Sequence, residues 1–204
     1  MSAIRLIVGL GNPGPRYEST RHNVGANLVD YLAHRFSVRL VEESKFKGYV
    51  GRGSVAGHDV RLLVPTTYMN LSGESVGPLA HFYKLDVGEI LVAYDEMAFD
   101  PGVLRLKTGG GDNGHNGIRS IISSLGNARE FHRLRIGVGH PGDRSQVTAF
   151  LTSHRMPDGE RQLVEDAWRI SDAVLADMLA GKFDKAMNAL HAPPAGEGDE
   201  EGDQ

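Results

Sequence analysis

An α/β fold in one domain, built on a mixed twisted β-sheet with helices on both faces, is predicted by three observations. Short apolar runs of strand length alternate along the chain with apolar stripes of helical period. Hairpin signals are interspersed among them, so the sheet is expected to be mixed and not purely parallel. No internal repeat and no interior linker divides the 204 residues, so residues 1–191 are expected to form a single unit.

The elements follow in order. Residues 4–10 are a short apolar run closed by Gly and Pro, which reads as a buried strand. From Asn23 the period changes, and Val24, Leu28, Tyr31 and Leu32 share one helical face as far as Phe36. Residues 48–55 and 60–64 flank Ala56-Gly57-His58-Asp59, a hairpin signal. Val76, Leu79, Ala80 and Tyr83 make the next helical stripe, and residues 90–94 another buried strand that ends at Asp95-Glu96. Residues 103–107 alternate apolar with basic, as a half-exposed strand does. The glycine-rich loop 109–114 leads into Ile118, Ile121, Ile122 and Leu125, with Gly126 where a helix-ending glycine belongs. Residues 131–139 form a strand. From Pro157 a helix carries Leu163, Ala167, Ile170, Val174 and Met178 on one side, and a last helix covers residues 183–190. Residues 192–204 hold Pro, Gly and acid with nothing to bury, and are expected to be a disordered tail.

Composition narrows the function. Hydrophobic residues make up 40% and charged residues 24%, as in soluble globular proteins. No apolar run approaches the roughly 18 residues of a membrane span, and the N-terminus lacks a signal-peptide pattern, so a cytoplasmic protein without a membrane partner is expected. The absence of cysteine excludes a disulfide scaffold, a thiolate metal site and a cysteine nucleophile. The formal charge of −4 conceals an asymmetry. Five acidic residues lie in the last ten, and between residues 101 and 146 the balance reverses. There Arg105, Lys107, Arg119, Arg129, Arg133, Arg135 and Arg144 face only Asp112, Glu130 and Asp143. Such a stretch is either a solvated face or the footprint of an anionic ligand.

Two familiar patterns fail on context. Gly9-Leu10-Gly11-Asn12-Pro13-Gly14 fits the dinucleotide fingerprint, but helical periodicity begins only near Asn23, so it reads as a turn of glycine and proline. Gly73-Glu74-Ser75-Val76-Gly77 fits a nucleophile elbow, yet the preceding strand ends near Pro65 and Ser75 falls on the first turn of a helix. A serine esterase would need Asp95 and His115 as its partners. No metal-ligand pair stands out among the nine histidines, and His34, His58, His81 and His191 read as surface or helix-end residues. What remains is Asn12, His22, Asn70, Asp95, His115 and Asn116, at strand ends where α/β sheets bind ligands. Singly, each also has a plain structural role. Asn23, Asn70 and Asn116 are candidate helix caps, His22 a candidate loop residue, and Asp95-Glu96 a candidate solvated strand end.

Taken in order, IRLIVGLGNPGPRYESTRHNVG (residues 4–25), LVPTTYMNLSG (63–73), ILVAYDE (90–96), GHNGIRSI (114–121) and FHRLRIGVGHPG (131–142) resemble the bacterial peptidyl-tRNA hydrolases. The resemblance runs to about His191 and covers everything but the tail. It implies one catalytic domain, monomeric and without cofactor or metal, that hydrolyses the ester between a peptide or N-blocked aminoacyl group and the terminal ribose of tRNA. By that resemblance His22 is the catalytic base, Asp95 its partner, and Asn12 acts beside them. Tyr17, Met69, Asn70, His115 and Asn116 hold the peptide, the terminal adenosine and the acceptor end. Arg105, Lys107 and Arg135 hold phosphates of the acceptor stem. Two departures from the family pattern stand out: Ala98-Phe99 replaces an acidic and an aliphatic residue, and Asp112-Asn113 replaces glycine or small residues. The second puts a negative charge near the expected phosphate site.

The chemistry suits the residues on independent grounds. With no cysteine and a poorly placed serine, water is the expected nucleophile. Neutral imidazole takes a proton from water near neutral pH, a carboxylate on its other nitrogen fixes the tautomer, and asparagine amides donate without titrating. The alternatives are the serine-type esterase and a non-catalytic RNA-binding module, which would not need His22 paired with Asp95.

Overall fold

The structure is a computed structural model that describes residues 2–191, and the acidic tail lies outside the described residues. The strands are β1 (Leu6–Gly9), β2 (Val41–Glu43), β3 (Gly48–Val55), β4 (His58–Pro65), β5 (Ile90–Glu96), β6 (Leu104–Thr108) and β7 (His132–Gly137). The α-helices are α1 (Val24–Arg35), α2 (Gly73–Phe82), α3 (Asn116–Ser124), α4 (Val147–Thr152), α5 (Asp158–Ala167), α6 (Asp172–Leu179) and α7 (Phe183–His191). The strands form one sheet in the order β2-β3-β4-β1-β5-β7-β6. β1 runs parallel to β4 and β5, and β5 parallel to β7, while β2–β3, β3–β4 and β6–β7 are antiparallel. The sheet is therefore mixed, as expected. Its parallel centre places the carboxyl ends of β1, β4, β5 and β7 along one edge, where crossover chains open a crevice.

Helices cover both faces. On one, Leu28, Val29 and Leu32 of α1 and Leu175, Met178 and Leu179 of α6 pack on Ile7, Leu91 and Leu134. On the other, Val76 and Leu79 of α2 and Ile118, Ile121 and Ile122 of α3 pack on Leu6, Val8 and Val92. Each of these side chains, fully buried, contributes about 1.5–3 kcal/mol relative to exposure.

Three expectations are corrected. The helix expected from Pro157 is broken at residues 168–171, where the Ser171 hydroxyl accepts the Val174 N–H and starts α6 afresh. Within α5 it is Val164 that packs into the core, while Leu163, expected inside, is 55% exposed. Two elements were not expected at all, the three-residue β2 and the six-residue α4. Too short to show a period, both owe their existence to what they pack against.

The outer edge of β6 is closed from an unexpected source. His191, at the end of α7, accepts the Leu106 N–H on Nε2 at 3.1 Å. His132 holds α7 in place by stacking on Phe183 with ring centroids 3.7 Å apart.

Candidate active site

Glycine brings the site together. Helix α1 lies so close to the sheet that a Cβ on Gly25 would meet the Ala93 carbonyl oxygen at 2.1 Å, and one on Gly9 the Gly25 oxygen at 2.4 Å. That close approach sets the turn before α1 directly over the end of β5. His22 lies three residues before Gly25 and Asp95 two after Ala93, and both are buried. His22 Nδ1 is 2.9 Å from each oxygen of Asp95. The turn itself is held from behind by Arg21, whose guanidinium pairs with Glu160 at 2.6 Å and stacks 3.9 Å from the centre of Phe150.

A second imidazole reaches the same carboxylate. His115 Nε2 is 2.9 Å from Asp95 Oδ1, and its Nδ1 accepts the Ile118 N–H as the cap of α3. A nitrogen that accepts carries no proton, so the Nε2 of His115 is the donor to Asp95. Asp95 thus accepts from both rings, whose centroids are 4.9 Å apart. Burial by itself raises the Asp95 pKa, but the two imidazoles outweigh it and hold the carboxyl well below the usual carboxylate range. Burial likewise acts to lower the His22 pKa, and the Asp95 charge and hydrogen bond reverse this, leaving it raised above an ordinary histidine. With Nδ1–H committed to Asp95, the basic lone pair of neutral His22 is on Nε2.

His22 and Asp95 line a cleft of about 600 Å³ together with His115, Asn116, Glu96 and Met97. Its far wall is α4, through Val147, Thr148, Leu151 and Thr152, with Asp112, Asn113, His140 and Arg144 around the mouth. Among these lining residues Glu96, Met97, His140 and the four on α4 carry no signal as site residues in the sequence. Those on α4 have no periodic pattern to reveal them.

The other expected residues fall into three groups. Asn12 is joined to the site by hydrogen bonds: its Oδ1 accepts the Met69 N–H at 2.7 Å, and its backbone exchanges two 2.9 Å bonds with the Asn23 amide, next to His22. Since its oxygen is taken, Nδ2 is the end left to donate. Met69 is buried and packs against Gly117, where a Cβ would meet its sulfur at 2.5 Å. Asn70 and Asn116 are exposed and line a groove between α2 and α3 that adjoins the cleft, Asn116 being common to both. Tyr17 sits in the turn ahead of Thr20, under the Arg16 guanidinium, and does not line the cleft.

Arg105, Lys107 and Arg135 lie one strand or two beyond Asp95, on the β6–β7 ribbon. Arg105 stands opposite Arg135, and Lys107 opposite Arg133, so all four point to one face. The basic stretch is smaller than its sequence count. Arg133 is 1% exposed and donates to the Gly110 and Gly111 carbonyls, pinning the glycine-rich loop from beneath. Arg119 pairs with Asp112 at 3.1 Å, and with the Gly114 N–H this holds the Asp112 pKa down. Among the described residues Arg105 and Lys107 make no ion pair.

Several plain roles expected from sequence are corrected. Asn23, Asn70 and Asn116 do not cap helices through their side chains; His115 caps α3 and the Asn23 amide binds Asn12. Asp95 is no solvated strand end, and His22 no exposed loop residue. His191 is a helix-end residue, as expected, and its ring also serves β6. Ser75 lies on the first turn of α2, as expected, wholly buried and with no hydrogen-bond partner for its hydroxyl among the described residues, and is no nucleophile elbow. His22, Asp95 and His115 are also the one group among the described residues with a metal-ligand composition, their ligand atoms lying within 4.8 Å. An ion there would have to displace both N–H protons that now bind Asp95.

Known proteins match the chain along almost its whole length. The family model of the peptidyl-tRNA hydrolases matches residues 6–197. The peptidyl-tRNA hydrolase of Pectobacterium carotovorum is 56% identical over 194 residues, covering 94% of this chain and 98% of its own. That of Pseudomonas paraeruginosa is 52% identical over 195 residues, covering 96% of this chain and all of its own. Among solved structures, the peptidyl-tRNA hydrolase of Acinetobacter baumannii superposes with a TM-score of 0.89 at 46% identity, over 94% of this chain and 96% of the other. The fold, the order of the sequence blocks and these matches together make the chain a member of the peptidyl-tRNA hydrolase family.

Proposed function

We propose that this protein hydrolyses the ester linking the peptide of peptidyl-tRNA to the terminal ribose, with His22 as general base and water as nucleophile. The observation that carries the reading is the doubly bonded Asp95. It accepts from His22 Nδ1 and from His115 Nε2, so neutral His22 keeps its lone pair on Nε2, at the cleft. In the first step Nε2 takes a proton from water as the water oxygen bonds to the ester carbonyl carbon. Asp95 stabilises the imidazolium so formed. Negative charge then gathers on the former carbonyl oxygen, and the Nδ2 of Asn12 is the donor that answers it. As the tetrahedral intermediate collapses, the C–O bond to the ribose breaks and the imidazolium returns its proton to the leaving 3′-oxygen. The products are a peptide carboxylate and free tRNA.

Met69, Asn70, His115 and Asn116 bound the substrate's acceptor end and peptide in this reading, with Tyr17 at the outer turn. Arg105, Lys107 and Arg135 take phosphates of the acceptor stem. A binding module would have no use for a base held in one tautomer.

The experiment is hydrolysis of N-blocked aminoacyl-tRNA by His22→Ala. Turnover is expected to fall by roughly 10²–10⁴ while tRNA affinity stays within a few-fold, because the base acts on water and not on the ligand. Near-normal turnover in this variant would falsify the assignment. The parent enzyme should leave unblocked aminoacyl-tRNA intact.

A further inference from the structure

Arg105 and Arg135 stand directly opposite one another across the β6–β7 ladder, an arrangement in which like charges repel. Two groups offset that repulsion. The Phe99 ring lies against both guanidiniums, its centroid 4.9 Å from the Arg135 Cζ and 5.7 Å from that of Arg105. Glu96 Oε2 is 3.9 Å from Arg135 Nη1 on the side nearer the catalytic strand. An aromatic face attracts cations within about 6 Å of its centre. One ring thus serves two cations without neutralising either, which an acid in its place would do.

The ring is built into position. Residues 97–103, which join β5 to β6, are pressed flat on β7 because Gly137 has no side chain. A Cβ there would meet the Asp100 carbonyl oxygen at 2.1 Å and the Phe99 Cβ at 2.9 Å. The Phe99 carbonyl accepts the Gly139 N–H at 2.9 Å, and Gly137 and Gly102 make further backbone bonds with the same turn. The ring is half-buried, so it is fixed by packing on one side and open to the cation face on the other.

The geometry points to Phe99 as the positioning residue of the phosphate-binding pair, holding Arg105 and Arg135 side by side as a preformed two-cation grip on the nucleic-acid backbone. Aliphatic side chains of similar bulk fill the space but have no negative face to offer. This inference rests on the assignment of Arg105 and Arg135 to substrate phosphates.

The test is Phe99→Leu and Phe99→Tyr beside Arg135→Gln, assayed on full-length N-blocked aminoacyl-tRNA and on the N-blocked aminoacyl ester of adenosine alone. Phe99→Leu is expected to raise KM for the full-length substrate about five-fold with kcat unchanged. It should leave the short ester unaffected, and Phe99→Tyr should restore the parent KM. A parental KM in Phe99→Leu, with a raised KM in Arg135→Gln, overturns the role of the ring while leaving the phosphate site standing. Equal losses on both substrates, or a Phe99→Tyr variant as poor as Phe99→Leu, reduce Phe99 to a packing residue. If Arg135→Gln itself leaves KM unchanged, the phosphate assignment fails and this inference goes with it.

Discussion

His115 uses both ring nitrogens, one to cap α3 and one to hold Asp95, and so ties the His22–Asp95 pair to the start of that helix. Asp95 in turn sets the protonation of His22, and this gives a pH signature. Only neutral His22 can accept a proton, so kcat/KM should fall on the acid side through a pKa raised above the ordinary histidine value. Asp95→Asn removes both influences that raise it and leaves burial, which lowers it. The acid limb should therefore move to lower pH while kcat drops by roughly 10²–10⁴, measured as a pH–rate profile. A limb that stays in place would separate Asp95 from His22. Asn12 allows a complementary comparison. Asn12→Asp keeps the acceptor for the Met69 N–H and loses the donor, whereas Asn12→Ala loses both. Asp should be the slower enzyme and Ala the less thermostable one, by kcat and melting temperature together. At this scale residue identities are readable from sequence, and the His22–Asp95 pairing from the resemblance, but most other partners are not. Asn23 has the sequence context of a cap because a helix follows it; that its amide instead grips the backbone of Asn12 depends on β1 lying alongside.

Among the elements, α1 has the tightest fit. Gly25→Ala would force a methyl into the Ala93 carbonyl, and overpacking of this kind costs about 1–3 kcal/mol. The variant should melt at lower temperature and lose kcat together, since lifting α1 separates His22 from Asp95. Retained kcat in a destabilised variant would mean that the turn holds its place without the helix packing, through Arg21. Elements with a clear period are legible: α1 and α3 show themselves by their apolar stripes, and β5 by its continuous apolar run. β2, whose sequence is Val41-Glu42-Glu43, has only β3 to define it, and α4 is a wall of the cleft with no stripe of its own. The break between α5 and α6 is hidden for a related reason. Leu163 and Val164 fit either of two helical phases, and only packing against the core chooses between them.

For the molecule as a whole, charge counting locates the basic region but not its working members, because sequence does not tell a buried arginine from an exposed one. Arg133 holds a loop and Arg119 answers Asp112, and of the five that remain Arg105, Lys107 and Arg135 stand together on one ribbon. Replacing Arg105 or Lys107 with Gln should raise KM for full-length tRNA substrate, spare kcat, and flatten the salt dependence by about 0.9 log units per log unit of salt for each phosphate no longer neutralised. An ester of adenosine alone should not respond; an equal response from both substrates would move these residues out of the docking role. The same ribbon is one border of the sheet, and its closure bears on how the protein behaves in a crowded solution. An uncovered border strand is a template on which a second chain can add hydrogen bonds and begin to aggregate. Here Leu106, midway along β6, has its N–H taken by His191, and the opposite border is the three-residue β2 with two glutamates. Burial, followed by the charges of Arg105 and Arg135, lowers the His191 pKa, so Nε2 remains an acceptor into mild acid. Burial and these two arginines together thereby keep His191 on a border N–H that a second strand would otherwise take.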